Sequence, residues 1–284
     1  MIVQNIAMLI AIDNSNQFRF LKSVHKRKAN KNDILKGINK LINIYKARNI
    51  QIKQINADNE FECVRENLRP SILNTVAAEE HVGVIERAIR TNKDDTRCHI
   101  HRLPYTHYPI AMVEGAQRHS IHRRNNLPSI NGVSKELSPE TLNTGLPPPD
   151  YNEIIKLNFG DYVQTYEGET SNTGKARNIG AIALFFSPSG HGSWYFMSLP
   201  TGKRIHQNSW TVLPANEDVV QRVNHLGKEQ GQPPVENNFK YEWNNDNDVV
   251  YDEEVEIVDR EISSNESEDE EEIVMNVGGP GVGR

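Results

Sequence analysis

The chain opens on two short apolar runs, IAMLIAI and FRFLKSV, separated by DNSNQ. Asn and Ser favour turns, so this pattern predicts a β-hairpin. The first twelve residues, MIVQNIAMLIAI, read as the end of one strand, a turn and the strand that follows. Next, in NKNDILKGINKLINIYKARN, residues Ile34, Leu35, Ile38, Leu41, Ile42 and Tyr45 fall on one helical face behind a polar start at Asn32 and Asp33. IQIKQINAD predicts a strand, FECVRENL a short helix and SILNTVAA another strand. A long helical pattern runs from near Val82 to about Arg102, and residues 107–124 are helical after the breaks at Pro104 and Pro109. Strands alternating with helices indicate a layered α/β unit.

The Pro/Gly-rich stretch TGLPPPDYN closes that block. Beyond it, FGDYVQTYE, NIGAIALFFSP, SWYFMSLPTG and RIHQNSWTVLP are four β-leaning runs divided by turn residues, which predicts a small β-barrel or curled sheet. Trp194, Tyr195, Phe196 and Trp210 are read as its core. EDVVQRVNHLG allows a brief helix; from Gly231 the chain turns polar and reaches ESEDEEE. So little apolar surface cannot offset the entropy of ordering, so a disordered acidic tail is expected. The predicted organisation is a core over 1–130, a connector over 131–156, a β-rich unit over 157–214, and a short helix with the acidic tail over 215–284.

Composition adds a charge polarity that the pattern does not reveal. Net charge is +9 over residues 1–130, −1 over 131–214 and −14 over 215–284. A basic front and an acidic rear point to a polyanion-binding surface beside a solvated tail, with ordinary solubilising charge as the plain alternative. Two cysteines, Cys63 and Cys98, exclude a disulfide scaffold and a cysteine-based zinc cluster and fit a reducing compartment. The apolar opening is too short to span a bilayer and carries no basic leader, so a soluble intracellular protein is expected.

Candidate chemistry sits in two places. In INADNEFECV a strand runs into Asp58, with Glu60 and Glu62 close behind. In HVGVIERAIRTNKDDTR, Val82, Ile85 and Ile89 form the core-facing stripe, while Glu86, Arg90, Lys93 and Arg97 share another meridian. Helix electrostatics alone would account for that row. Alternatively, Asp58 and Glu86, on adjacent elements, could hold Mg²⁺ through oxygen ligands, with the cations holding a nucleic-acid backbone over it. Two ions would need a third carboxylate.

INADNEFE followed by HVGVIERAIRTNKDDTR resembles the integrase core of copia-type retrotransposon polyproteins. The likeness continues through LSPETLNTG, KLNFGDYVQTYE, GAIAL, YFMSLPTGK and SWTVLP, and covers roughly residues 1–225. It implies an RNase H-like mixed sheet with flanking helices, an Asp, Asp, Glu triad binding Mg²⁺ or Mn²⁺, and strand transfer joining element DNA to target DNA. Asp58 matches the second aspartate and Glu86 the helical glutamate, which makes them the implied catalytic and metal-binding residues. Arg90 and Lys93 occupy positions that face DNA in related integrases. The β-rich unit matches the small domain that follows such cores, and the acidic tail the spacer before a reverse transcriptase to which the chain was ancestrally fused. Nuclear localisation and a homo-oligomer are implied as well.

Two departures bear on activity. Asp58 and Glu86 are closer in sequence than is usual in the family. The first aspartate belongs on the first strand and would fall just upstream of Met1, so the chain is expected to be catalytically defective. Asp13 and Glu60 are the substitutes that an active nuclease of the same fold would need, and a non-catalytic DNA-binding remnant is the other reading. Arg97, together with Arg123 and Arg124 in HRRNN, completes the candidate DNA contacts. His99, His101, His107, His119 and His122 are read as surface positions that add to the phosphate-binding character.

Overall fold

The computed structural model describes residues 1–24, 27–75, 83–148, 150–154, 156–166, 177–188, 192–236, 238–242 and 274–278. The chain opens with β1 (Ile2–Val3) and β2 (Ile6–Asp13) around a tight turn, where Gln4 and Asn5 both take positive φ (46° and 64°). That is the geometry a two-residue hairpin demands, and Asn tolerates it well. β2 pairs antiparallel with β3 (Arg19–Ser23) to form the second predicted hairpin. Asp13 brackets its turn by accepting from the Ser15 backbone N–H (2.9 Å) and hydroxyl (2.8 Å).

Helix α1 (Lys31–Lys46) starts one residue before the predicted polar cap, with Asn30 and Asp33 forming a reciprocal capping box. Its buried stripe of Ile34, Ile38, Leu41 and Tyr45 covers one face of the sheet, packing with Ala7, Leu9 and Ala11 of β2. β4 (Gln54–Ala57), a 3₁₀ helix over Asn59–Leu68 and β5 (Ile72–Thr75) follow, and β4 pairs parallel with β5. Helices α2 (Gly83–Ile100) and α3 (Ile110–Asn125) lie on the opposite face, where Ile85, Ala88, Ile89, Met112 and Val113 join Met8, Ile10 and Ile12. Covered on both sides, β2 is buried at every position. Val82, expected on the α2 stripe, lies outside the described residues.

Tyr45 carries its hydroxyl from α1 to Asp13, donating over 2.8 Å inside the core. Burial, and then the Asp13 charge, push that phenol's pKa far up, so it stays a donor. Tyr45→Phe is expected to cost about 1–3 kcal/mol, because it leaves a fully buried carboxylate oxygen short of one donor. Urea unfolding would measure this as a lower midpoint at unchanged slope; an unshifted midpoint would contradict the bracket role.

After α4 (Pro139–Thr144) and α5 (Tyr151–Ile154) come β6 (Tyr162–Tyr166), β7 (Asn178–Phe186), β8 (Trp194–Ser198), β9 (Arg204–Gln207) and β10 (Trp210–Val212). The four expected β runs therefore give five strands, all antiparallel, in the order β10-β6-β7-β8-β9. Its two edge strands are consecutive in sequence, joined only by Asn208 and Ser209. That link spans at most about 11 Å, whereas a flat five-stranded sheet is about 19 Å across. The sheet therefore curls.

Trp194 and Phe196 are buried inside it, with Trp210 and Ile205 packed alongside. Its other face contributes Ile182, Leu184 and Met197 to the cluster around α2 and α3. α3 is consequently buried around much of its circumference, and at Gly115 a Cβ would stand 2.9 Å from the Leu184 side chain. A glycine there lets the helix reach β7. α6 (Glu217–Glu229), capped by Asn216, closes this core with Val219, Val223 and Leu226.

One expectation fails in part. Within the stretch read as a disordered tail, Val274–Gly278 forms β12, which enters the larger sheet between β2 and β4. It runs antiparallel to β2 and parallel to β4, and buries Met275 to 1% exposure. The short strand β11 (Tyr241–Glu242) pairs with β1. The remaining tail positions, 243–273 and 279–284, lie outside the described residues. The molecule is thus a mixed α/β protein with one parallel and antiparallel sheet and one antiparallel sheet. No helix among the described residues is long and apolar enough to cross a membrane.

Candidate nucleic-acid interface

Asp58 is the residue at which β4 ends and the 3₁₀ helix begins. Its backbone stays extended (φ −66°, ψ 160°), its side chain makes no cap hydrogen bond, and its carbonyl accepts from Phe61 N–H over 3.0 Å. Asp58 and Glu60 both pull electrostatically on the Met1 amine, as Lys93 of α2 pushes on it, so the three converge on one neighbourhood. Burial dominates at that amine and presses its pKa down to about 5. Glu62 is set apart: it takes both arms of the Arg65 guanidinium, and that hydrogen bonding holds its carboxyl below its ordinary range.

Glu86 lies in the first turn of α2, half-buried, seven residues before Lys93. At 1.5 Å per residue it stands about 10 Å further up the helix. Among the described residues no three His, Cys, Asp or Glu side chains group closely enough to hold a metal ion. Asp13 supplies no third ligand beside Glu86. Its carboxylate meets Tyr45 on the α1 face, and α2 covers the other face of the sheet. The donor set among the described residues therefore does not fit a two-metal centre.

The cations separate by their surroundings. Arg90 and Arg123 are exposed. Arg97 stands 3.5 Å from Asp94 on the helix surface, a contact worth little in water. Lys93 is half-buried, its ammonium 5.0 Å from the centre of the Tyr241 ring. Arg124 spends its fork on Asp95, with Nε and Nη2 each 2.7 Å from a carboxylate oxygen. That pair ties α3 to α2, and the hydrogen bonding raises the guanidinium pKa.

Beside this clamp opens a cleft of about 520 Å³ that the sequence pattern does not reveal. Arg19, Arg87 and Arg124 line it with Thr91 and Ser129, and no carboxylate does. Arg19 is held there by packing. Asn125 bonds its backbone at both N–H and C=O (2.8 Å each), while its own Nη1 is buried without a hydrogen-bond partner. Burial, and then the Arg124 charge, lower the Arg19 pKa, while the nearby Asp95 charge acts in the opposite direction. Arg87 follows Glu86 directly and turns toward this cleft; only the fold of residues 124–131 around α2 gives it a role. On the rim, Ile130 is 93% exposed.

Of the five histidines expected at the surface, His101 is exposed, but His99, His119 and His122 are wholly or partly buried. His119 is buried, its ring 4.7 Å from that of His99 and 6.1 Å from that of Trp194. His122 packs edge-on against Phe185 and Phe186. Burial lowers the pKa of His99 and His122 to about 4 and that of His119 well below its ordinary value, so all three are neutral at pH 7. In comparisons with known proteins, no family model and no curated protein matches this chain.

Proposed function

We propose that this protein is a retrotransposon integrase-like, DNA-binding molecule with an RNase H-like core, deficient in metal-dependent strand transfer. The observation that carries the binding half is the cation set on one side of α2 and α3. Arg90 of α2 and Arg123 of α3 are exposed, and Arg19, Arg87 and Arg124 line a cleft in which Arg124 is paired with Asp95. Such a surface suits a phosphate backbone, and neutralising phosphates releases counterions. The mixed sheet between helices, with Asp58 at the end of β4 and Glu86 on the helix crossing the sheet, supports the integrase-like part of the reading. The Mg²⁺ or Mn²⁺ of such a centre would rest on Asp58 and Glu86. Among the described residues no third His, Cys, Asp or Glu groups with them to hold a metal ion, so no catalytic step is assigned. On this reading the protein acts on DNA in the nucleus, as a remnant that binds without joining.

A duplex-DNA titration against salt tests it. Affinity is expected to fall steeply with salt, and Arg90→Ala and Arg123→Ala should each flatten the log–log slope by about one. Arg87→Ala should weaken binding of every sequence alike, since a phosphate contact reads no bases. Salt-independent binding, or none, overturns the interface. Strand-transfer assays with either metal are expected to yield no product; product that disappears with Asp58→Asn would instead establish an active enzyme.

A further inference from the structure

β2 carries β3 along one edge, and along its other edge two separate pieces of chain share a single lane. At one end, Met1 exchanges hydrogen bonds with Met8 (2.8 and 3.3 Å), Ile2 faces Ala7 and Val3 faces Ile6. At the other end, Gly278 faces Ile10, and the pairing continues back to Met275 opposite Asp13. Only the position opposite Leu9 separates the two pieces. Both run antiparallel to β2, so the lane reads as one strand assembled from residues 274–278 followed by residues 1–3.

Three features make the longer half of this lane a site. Its pairing is in register on both sides: Asn276 stands between Ile12 and Asn56, and Val277 between Ala11 and Ala57. Without the segment, β2 and β4 would face each other across a gap one strand wide, each with a row of unpaired backbone donors and acceptors. Met275 fills a place in the apolar cluster beneath α1, with Ile55 and Ala57. The sequence also bounds the segment, because IVMNVG lies between an acidic run ending at Glu272 and the pairing-breakers Gly279 and Pro280.

We propose that the lane between β2 and β4 is a strand-acceptor site. Its ligand is an extended peptide of the pattern apolar–Met–polar–apolar–Gly, and its resident occupant is residues 274–278 of the same chain. That strand is bound as a tethered peptide and exchanges with a free peptide of the same sequence. Chain length favours the molecule's own segment. Glu242 pairs with Ile2, which leaves about 25 Å along the lane to Val274. Positions 243–273 could reach on the order of 100 Å when extended. A tether of that length presents the strand at roughly millimolar effective concentration, against micromolar for a second copy.

The register gives a test on the full chain. Ala11 and Val277 are paired across antiparallel strands, where Cα separations of about 4.5–5.5 Å suit a disulfide. With exposed Cys63 and Cys98 changed to Ser, Ala11→Cys/Val277→Cys should oxidise to an intramolecular bond in a monomer. Failure to bond, or bonding only between copies, overturns the proposal. Exchange is read separately, with a protease site placed between residues 245 and 268. After cleavage the C-terminal piece should co-elute with the body, and excess labelled peptide 272–280 should displace it. The same peptide carrying Met275→Glu should compete at least ten-fold more weakly. A C-terminal piece that elutes alone, or two peptides that compete equally, would overturn the acceptor site.

Discussion

Met275→Glu is expected to lower the melting midpoint by about 10 °C, while Met275→Leu stays close to the parent. Met275 is 1% exposed and faces Asp13 across the β2–β12 pair, on the side covered by α1. Asp13 already commits its carboxylate to Ser15 and Tyr45. A glutamate at 275 would set a second carboxylate directly opposite the first, in a place without water. To remain folded it must hold its proton, which raises its pKa from about 4.3 past 7 and costs about 4 kcal/mol at neutral pH. In a chain of this size each kcal/mol moves the midpoint by about 2–4 °C.

The sign with pH follows. A carboxyl whose folded pKa is raised penalises the native state above its unfolded pKa, so the deficit should shrink as pH falls toward 4. Calorimetry of parent and variant at pH 7 and pH 5 reads both effects. A shift below 2 °C, or one of equal size at the two pH values, would mean that residue 275 does not sit in the sheet.

That strand also marks where sequence reading stops. The pattern around α1 was legible because a capped, one-sided helix needs only local spacing, and the actual start differs by one residue. The opening turn was legible for the same reason. β12 was not, because five apolar-leaning residues behind a long acidic run carry no local sign of a partner more than 200 positions away; at most, IVMNV closed by Gly-Gly-Pro marks a bounded β-capable run.

The histidines show the same limit. The five histidines from His99 to His122 read as surface positions, yet α3 is packed between two sheets, and burial decides the charge of His119 and His122. Among the site residues, Asp58 and the α2 row could be placed from spacing. The cleft could not, since Arg19, Arg87 and Arg124 come together only through the third dimension.

Acid is expected to destabilise the protein steeply between about pH 6.5 and 4. His99 and His122 have folded pKa values near 4, and that of His119 is well below the ordinary 6.5, with burial the largest cause for each. A histidine held neutral in the native state leaves the unfolded chain to bind the proton first. Stability is therefore complete above about 6.5 and falls as pH drops toward the folded value, by about 1.4 kcal/mol per pH unit for each proton difference. His99, which borders a cleft with Arg123 and Asp95, contributes less than the other two because solvent screens it.

The Met1 amine, near 5, acts in the same direction. Glu140 opposes them: burial raises its carboxyl to about 7, so its penalty fades as pH falls toward 4.5 and offsets about one proton. The net expectation is a slope of roughly two to three protons, measurable as the pH dependence of the urea midpoint. His119→Phe isolates the cause. Its Nδ1 is buried without a hydrogen-bond partner, and Phe159 and Trp194 already surround the ring. The substitution should flatten the slope by about one proton without lowering stability at pH 7. An unchanged slope would transfer the acid sensitivity to carboxylates that lose their charge and remove the buried histidines as its source.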